Sequence, residues 1–103
     1  MKIELLYIEG CPNVTATLDR VNDILRQRGF DSTVDEIMVG DYDTAVAMRF
    51  LGSPTVRING LDIEPSARQR TTFGMMCRTY EGSGVPSKKL IERAITKAAA
   101  SST

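Results

Sequence analysis

The chain contains no histidine, and this absence removes several kinds of chemistry at once. Histidine is the commonest general base near neutral pH and a frequent zinc ligand, so Ser-His pairs, Cys-His pairs and most zinc sites are excluded. Two cysteines remain for chemistry, together with carboxylates, lysines, arginines and tyrosines. In a reducing compartment these cysteines are either packed core residues or redox and soft-metal groups. The sequence indicates no cofactor.

Net charge and long apolar runs are also missing. Thirteen basic residues balance thirteen acidic ones among 103 residues, which gives no electrostatic reason to expect nucleic acid or an anionic membrane as a partner. No apolar stretch is long enough to span a bilayer. The first ten residues, "MKIELLYIEG", lack the apolar core and cleavage site of a signal peptide. We therefore expect a protein of the cytoplasm; its oligomeric state is not indicated.

The length is typical of one small domain, which we predict over residues 1–99, with a frayed tail at residues 100–103. An apolar stretch before Gly10 predicts a buried strand. Apolar residues at helical spacing then predict a helix that starts near Pro12 and ends at Gly29.

The rest of the chain continues the alternation of strands and helices. In chain order we predict a strand over 33–39, a short helix stopped by Gly52, a strand from Thr55 with an Asn59-Gly60 hairpin, an exposed loop over 64–74, a fourth strand over 75–80 and a helix capped by Ser87. The fold class is therefore α/β, in the order β-α-β-α-β-β-α, with a mixed four-stranded central sheet flanked by helices.

Cys11 stands where the first predicted strand gives way to the first helix, directly before Pro12. Unpaired backbone N–H groups and the helix dipole at such a boundary favour thiolate over thiol. A thiolate is the nucleophile of disulfide exchange and a ligand for soft metals. Glu9 opposes this effect because a like charge disfavours ionisation. The alternative is a small packed residue at a helix start.

Ser53-Pro54-Thr55 follows a helix stop and opens the third predicted strand. Only about 5–6% of X-Pro bonds in folded proteins are cis, so the motif alone favours a trans proline that opens an edge strand. Its place in a chain whose first helix follows a cysteine raises the expectation of a cis bond.

In this order of elements, "GCPNV" at residues 10–14 and "SPT" at residues 53–55 resemble the thioredoxin-like superfamily. The stretches "GSPTVRINGLDIEP" and "CRTY" are also similar to short bacterial thioredoxin-like proteins, some of them labelled as related to organomercurial lyase. The resemblance implies that cis-Pro54 lies against the sulfur of Cys11 and that neighbouring backbone pairs with a substrate chain. The further substrate-facing positions would be Pro12, Asn13, Ser53 and Thr55.

The chain departs from the family pattern at Val14, where thioredoxins have their second cysteine. Valine cannot resolve a mixed disulfide, so another group must release the product. Cys77 is the possible resolving thiol, but a disulfide needs Cα atoms within about 7 Å. In the implied sheet, Cys77 lies two strand spacings of about 4.8 Å from the first strand. A buried strand residue is therefore the preferred prediction for Cys77.

Three functions stay open. The leading hypothesis is thiol-disulfide exchange or mixed-disulfide formation through Cys11 with a low-molecular-weight thiol or a partner protein. The second is thiolate binding of a soft metal or metalloid such as mercury, copper or arsenic by Cys11 and Cys77 together. The third is a redox-inactive interaction domain, because a lost resolving cysteine is also what decay of an enzyme would leave.

Overall fold

A four-stranded mixed sheet forms the centre of the computed structural model, which describes residues 1–101. The strands are β1 (Ile3–Tyr7), β2 (Val34–Met38), β3 (Thr55–Ile58) and β4 (Leu61–Asp62), and they lie in the order β2-β1-β3-β4. β1 pairs with β2 in parallel and with β3 antiparallel, and β3 pairs antiparallel with β4. The α/β class and the mixed four-stranded sheet are as predicted.

Three α-helices accompany the sheet. They are α1 (Val14–Gln27), α2 (Tyr42–Ala47) and α3 (Lys88–Ser101), and a 3-10 turn spans Pro65–Gln69. Because α3 continues to Ser101, residues 100 and 101 are helical and are not the frayed tail that we predicted; residues 102 and 103 lie outside the described part. No helix in residues 1–101 combines the length and the apolar character needed to cross a membrane.

α1 starts later than predicted and ends where predicted. Its first helical residue is Val14 and its N-cap is Asn13, so Pro12 precedes the helix. At the other end Gly29 has φ of 73°, and the N–H of Phe30 donates to the carbonyl of Leu25 at 2.9 Å. This is the Schellman arrangement, in which glycine adopts the left-handed conformation at little cost.

The core lies on both faces of the sheet because alternate strand residues point to opposite sides. Ile3 and Leu5 of β1 belong to the larger cluster, together with buried residues of α1 and α3. Leu6 points the other way and packs with Ala45 and Phe50 around α2. Each such fully buried large aliphatic or aromatic side chain stabilises the fold by about 1.5–3 kcal/mol.

α2 is shorter than predicted. Asp41 caps it by accepting the N–H of Thr44 at 2.7 Å, but the helix ends at Ala47 and not near Gly52. Arg49 adopts the left-handed conformation at φ of 55°, and the N–H of Phe50 donates to the carbonyl of Ala45 at 2.8 Å. The chain therefore leaves the helix early so that Phe50 can be buried.

The Asn59-Gly60 hairpin is confirmed. These residues have φ of 53° and 82°, which fits the type I′ turn that joins two-residue hairpins. The side-chain oxygen of Asn59 also accepts the N–H of Lys2 at 2.8 Å. The turn therefore fixes the start of β1 as well as the β3–β4 pair.

The fourth strand is not where we predicted it. Residues 61–62 form β4, and the chain turns away after them because the N–H of Glu64 donates to the Asp62 carboxylate at 2.9 Å. Residues 75–80 form no strand, although Cys77 makes a single bridge to Ser53. The predicted exposed loop over 64–74 contains the 3-10 turn, in which Ala67 is fully buried.

Candidate functional site

Cys11 lies in a tight turn beyond the end of β1. Its backbone N–H donates to the carbonyl of Ile8 at 3.3 Å, and Gly10 has φ of 78°, which suits glycine at the third position of such a turn. The thiol is free and the residue is half-buried. The turn thus places the half-buried Cys11 beyond the end of β1 and just before α1.

The start of α1 has backbone donors that are not used within the protein. The carbonyl of Asn13 accepts both the N–H and the hydroxyl of Thr17, at 3.2 and 2.7 Å, but the Asn13 side chain makes no capping bond. That side chain packs against Gly84, where a Cβ would lie 2.8 Å from the Asn13 Cγ. Within residues 1–101 the N–H groups of residues 14–16 have no acceptor. An anion near Cys11 would find them available.

The Ser53–Pro54 peptide bond is cis, and this loop is attached directly to the cysteine turn. The hydroxyl of Ser53 accepts the N–H of Ile8 at 3.1 Å. On its other side the Ser53 N–H donates to the carbonyl of Met76 at 2.8 Å, and its carbonyl accepts the N–H of Arg78 at 2.9 Å. Ser53 therefore joins the end of β1 to the segment that carries Cys77.

The side chains of Ser53 and Thr55 find their partners inside the protein. Both residues are fully buried. The Thr55 hydroxyl donates to the carbonyl of Gly52 at 2.5 Å and accepts a bond from Arg78 at 3.1 Å. These two side chains therefore hold the proline loop in place. Pro12 is exposed and Asn13 is half-buried.

Cys77 is exposed, and this corrects the prediction of a buried strand residue. It forms no disulfide with Cys11, since both thiols are free. Its neighbours Met76 and Arg78 supply the two backbone bonds to Ser53, which turn the Cys77 side chain away from the core. The segment holds Cys77 on the same side of the molecule as the proline loop, with its thiol open to solvent.

Inspection of the sequence missed a buried ion-pair network behind the proline loop. The guanidinium of Arg78, a residue only 3% exposed, makes two hydrogen bonds to the Asp62 carboxylate, at 2.6 and 2.8 Å. It also donates to Glu64 at 3.1 Å and lies over the ring of Tyr80 at 4.4 Å. The hydroxyl of Tyr80 donates to the carbonyl of Pro54 at 2.5 Å. The network thereby fixes Pro54 through its carbonyl, in addition to the bond that Ile8 makes to Ser53.

Burial and charge shift the protonation equilibria of this network. Burial alone would lower the pKa of Arg78, but its hydrogen bonds and charge interactions with Asp62, Tyr80 and Glu64 together outweigh burial and raise that pKa. Burial raises the pKa of Tyr80, and the positive charge of Arg78 only partly opposes this. Arg78 is therefore charged and Tyr80 neutral across the physiological pH range. The Nε of Arg78 is buried without a partner in the described chain.

Residues 77–80 follow a period-two pattern of burial in the structure, which the neighbouring residues of the sequence do not reveal. Along residues 77–80, exposed and buried positions alternate, so that Arg78 and Tyr80 point inward while Cys77 and Thr79 point outward. An inward tyrosine at position 80 implies an inward arginine at 78 and an outward cysteine at 77. An inward arginine in turn requires carboxylate partners, and Asp62 is buried to supply one.

The arrangement offers thiol chemistry and no metal cluster built on carboxylates. Within residues 1–101 no three cysteine, aspartate or glutamate side chains lie close enough to hold a metal ion. The available groups are the half-buried thiol of Cys11, the unused N–H groups of α1 and the exposed thiol of Cys77. Comparison with protein families, curated proteins and solved structures found no match to this chain.

Proposed function

We propose that this protein is a thioredoxin-like domain whose Cys11 forms mixed disulfides with a small thiol or a partner protein. The main support is the hydrogen bond that the Ile8 N–H donates to the Ser53 hydroxyl, because it anchors the proline loop to the turn that contains Cys11. The sheet order β2-β1-β3-β4 and the cis bond before Pro54 are compatible with this assignment. The half-buried free thiol supports the choice of Cys11 as nucleophile.

The reaction starts with attack of the Cys11 thiolate on one sulfur of a disulfide. A new bond forms between Cys11 and that sulfur, the original S–S bond breaks, and the second sulfur leaves as a thiolate. Release requires a second thiolate, which attacks the mixed disulfide and frees Cys11. Val14 cannot supply this thiolate, so an external thiol does so, and Cys77 is the alternative within the chain.

The local structure gives Cys11 an advantage that Cys77 lacks. Charge at a helix N-terminus is stabilised by about 0.3–1 kcal/mol, and by up to about 2 kcal/mol in partly buried geometries. A stabilised thiolate is also a weaker nucleophile, so about half of such an energy appears in the rate of attack, which is a gain of up to roughly fivefold. Cys77 lies in an irregular segment that does not lead directly into a helix, so no such gain is expected there.

Two single-cysteine variants test the proposal. In Cys77→Ser the only remaining cysteine is Cys11, and in Cys11→Ser it is Cys77. Each variant is treated with glutathione disulfide, and mass spectrometry follows the formation of the glutathione adduct. The same chains unfolded in urea give the intrinsic rate of each cysteine. We expect folding to accelerate adduct formation at Cys11 by up to about fivefold and to leave the rate at Cys77 unchanged or lower. A folded Cys11 that reacts more slowly than the unfolded one would contradict the proposal.

A second candidate function is binding of a soft metal ion by Cys11 and Cys77 together. Ser53 favours it, because one residue contacts the turn of Cys11 through Ile8 and the segment of Cys77 through its backbone. Two thiolates can hold a thiophilic ion without histidine. Native mass spectrometry should show one Hg(II) ion bound to each wild-type chain. When glutathione competes for the ion, Cys77→Ser should retain less Hg(II) than the wild type does. Equal retention in both proteins would exclude a shared site.

A further inference from the structure

A second region of the molecule is lined by positive charge and does not include the cysteine turn. A cavity of about 170 Å³ lies between the chain that follows α2, the β3–β4 hairpin and the 3-10 turn. The polar and aromatic side chains that line it are Arg49, Arg57, Arg68, Arg70, Asp62 and Phe73. We call it the arginine cavity. Neither cysteine lines it.

Three of the four arginines are held by contacts at or near the cavity. Arg57 donates to the carbonyls of Met48 and Arg49 at 2.7 and 2.9 Å, where α2 ends. The Nε of Arg68 donates to the backbone carbonyl of Asp62 at 2.9 Å. The guanidinium of Arg49 lies over the ring of Phe73 at 4.8 Å. These anchors reduce the conformational entropy that a ligand would otherwise have to remove from long side chains.

Most of the guanidinium donors remain available to a ligand. Among the described residues, no hydrogen-bond acceptor contacts the nitrogens of Arg49 or the terminal nitrogens of Arg68. Arg70 has only a loose ion pair with Glu64, at 3.6 Å. Arginine offers five N–H donors and no acceptor, so the free donors of this cavity can be satisfied only by water or by an anion.

The positive charge of the cavity is not cancelled from within. Asp62 is the only carboxylate among the described lining residues, and both of its oxygens are bound by Arg78. Burial lowers the pKa of Arg57; the charges of Asp62 and Glu4 oppose this effect, and the weaker contributions of Arg78 and Arg49 add to it. A bound anion would supply a further opposite charge to the arginines of the cavity.

We propose that the arginine cavity binds the phosphate group of a small anionic ligand. Arginine pairs with phosphate through two parallel hydrogen bonds, and several guanidinium groups can share its oxygens. A phosphate group carries about −1.5 to −2 charges at neutral pH, which matches this concentration of arginine better than a single carboxylate does. Pockets for drug-sized ligands measure about 300–1,000 Å³, so this smaller cavity suits a group of phosphate size better than a whole drug-sized ligand.

Two sources can supply such a group, namely inorganic phosphate and the phosphate monoester of a small metabolite. Amide NMR titrations of the full chain at constant ionic strength with inorganic phosphate, glycerol 3-phosphate and acetate separate them. We expect saturable shifts around the cavity, with a Kd of about 1 mM or tighter for phosphate and about tenfold weaker binding of acetate. A tenfold preference for glycerol 3-phosphate identifies the monoester as the ligand, and equal affinities identify the free anion; both outcomes support the site.

Two charge-matched double variants test the assignment to these side chains. Arg49→Gln with Arg70→Gln removes two exposed cavity arginines, and Arg26→Gln with Arg93→Gln removes two exposed arginines from α1 and α3. The cavity variant should bind phosphate at least about tenfold more weakly, or about 1.4 kcal/mol, and the control variant should bind as the wild type does. Equal weakening in both, no saturable shift, or acetate binding as tightly as phosphate would each overturn the proposal.

Discussion

Replacement of Arg78 by methionine tests whether the buried network holds the proline loop and β4 in place. The side chain of Arg78 is 2% exposed, and its main partner Asp62 is 6% exposed. Methionine fills a similar path through the core but carries no charge and no donors. The variant therefore leaves the Asp62 carboxylate buried without its two hydrogen bonds from the guanidinium, and it also removes the bond to Thr55.

The expected cost follows from burial. An exposed ion pair contributes about 0–1 kcal/mol, but breaking a buried pair by removing one partner costs about 3–5 kcal/mol because a charge is left uncompensated. The 2% and 6% exposures place this pair in the second class. Domains of this size unfold with only about 5–15 kcal/mol, so the loss is a large share of the total. The midpoint of thermal unfolding should fall by on the order of 20 °C.

Urea unfolding followed by circular dichroism measures the free energy of unfolding. Arg93→Met, on the exposed face of α3, is the control and should change it by less than about 0.5 kcal/mol. The double variant Arg78→Met with Asp62→Leu removes both charges and should recover stability relative to Arg78→Met alone. A loss below about 1 kcal/mol in the single variant, or a double variant less stable than the single one, would refute the reasoning.

Two further predictions concern the residues around this network. Gly52→Ala should destabilise the protein by about 1–3 kcal/mol. The reason is that Gly52 has φ of 119° and that a Cβ at this position would lie 3.1 Å from Met76. Gly40 has open space around it, so Gly40→Ala should be nearly neutral in the same urea assay. Because the pKa of Tyr80 is raised by folding, its contribution to stability is complete below the ordinary tyrosine pKa of about 10 and is lost as the pH rises through the folded value. Tyr80→Phe should therefore flatten the fall in unfolding free energy above about pH 10. Below about pH 10 the variant also loses the hydrogen bond to the Pro54 carbonyl. An unchanged alkaline slope would show that Tyr80 titrates alike in the folded and unfolded states.

Features that depend on neighbours in the chain were predictable from the sequence. The Schellman end of α1 at Gly29, the Asn59-Gly60 turn and the bond that the N–H of Leu90 donates to the Ser87 hydroxyl each rest on contacts within a few residues. The apolar stripe of α1 is likewise a local pattern, and four of its residues are buried as a consequence. Helix propensity and capping act over the same short range, so the helix ends could be predicted from the sequence.

Cys11 and the Ser53-Pro54 motif could be identified as candidates in the same way, since each has a distinct local signature. The link between their two segments could not be predicted, because the bond from the Ile8 N–H to the Ser53 hydroxyl spans 45 positions of the chain. The direction of residues 75–80 was also outside the reach of local rules. Whether Cys77 or Arg78 points inward depends on Asp62, which binds Arg78 across 16 positions.

The sequence by itself determined the order of strands and helices as far as the Asn59-Gly60 hairpin, the main turns and the two motifs that could carry chemistry. Only the tertiary structure decided that Cys77 is exposed, that Arg78 is buried, and that four arginines from separate segments surround one cavity. The physical reason is that a charged side chain is buried only where distant partners compensate its desolvation. Those partners are brought together by packing of the whole chain and leave no signal in the residues next to Arg78.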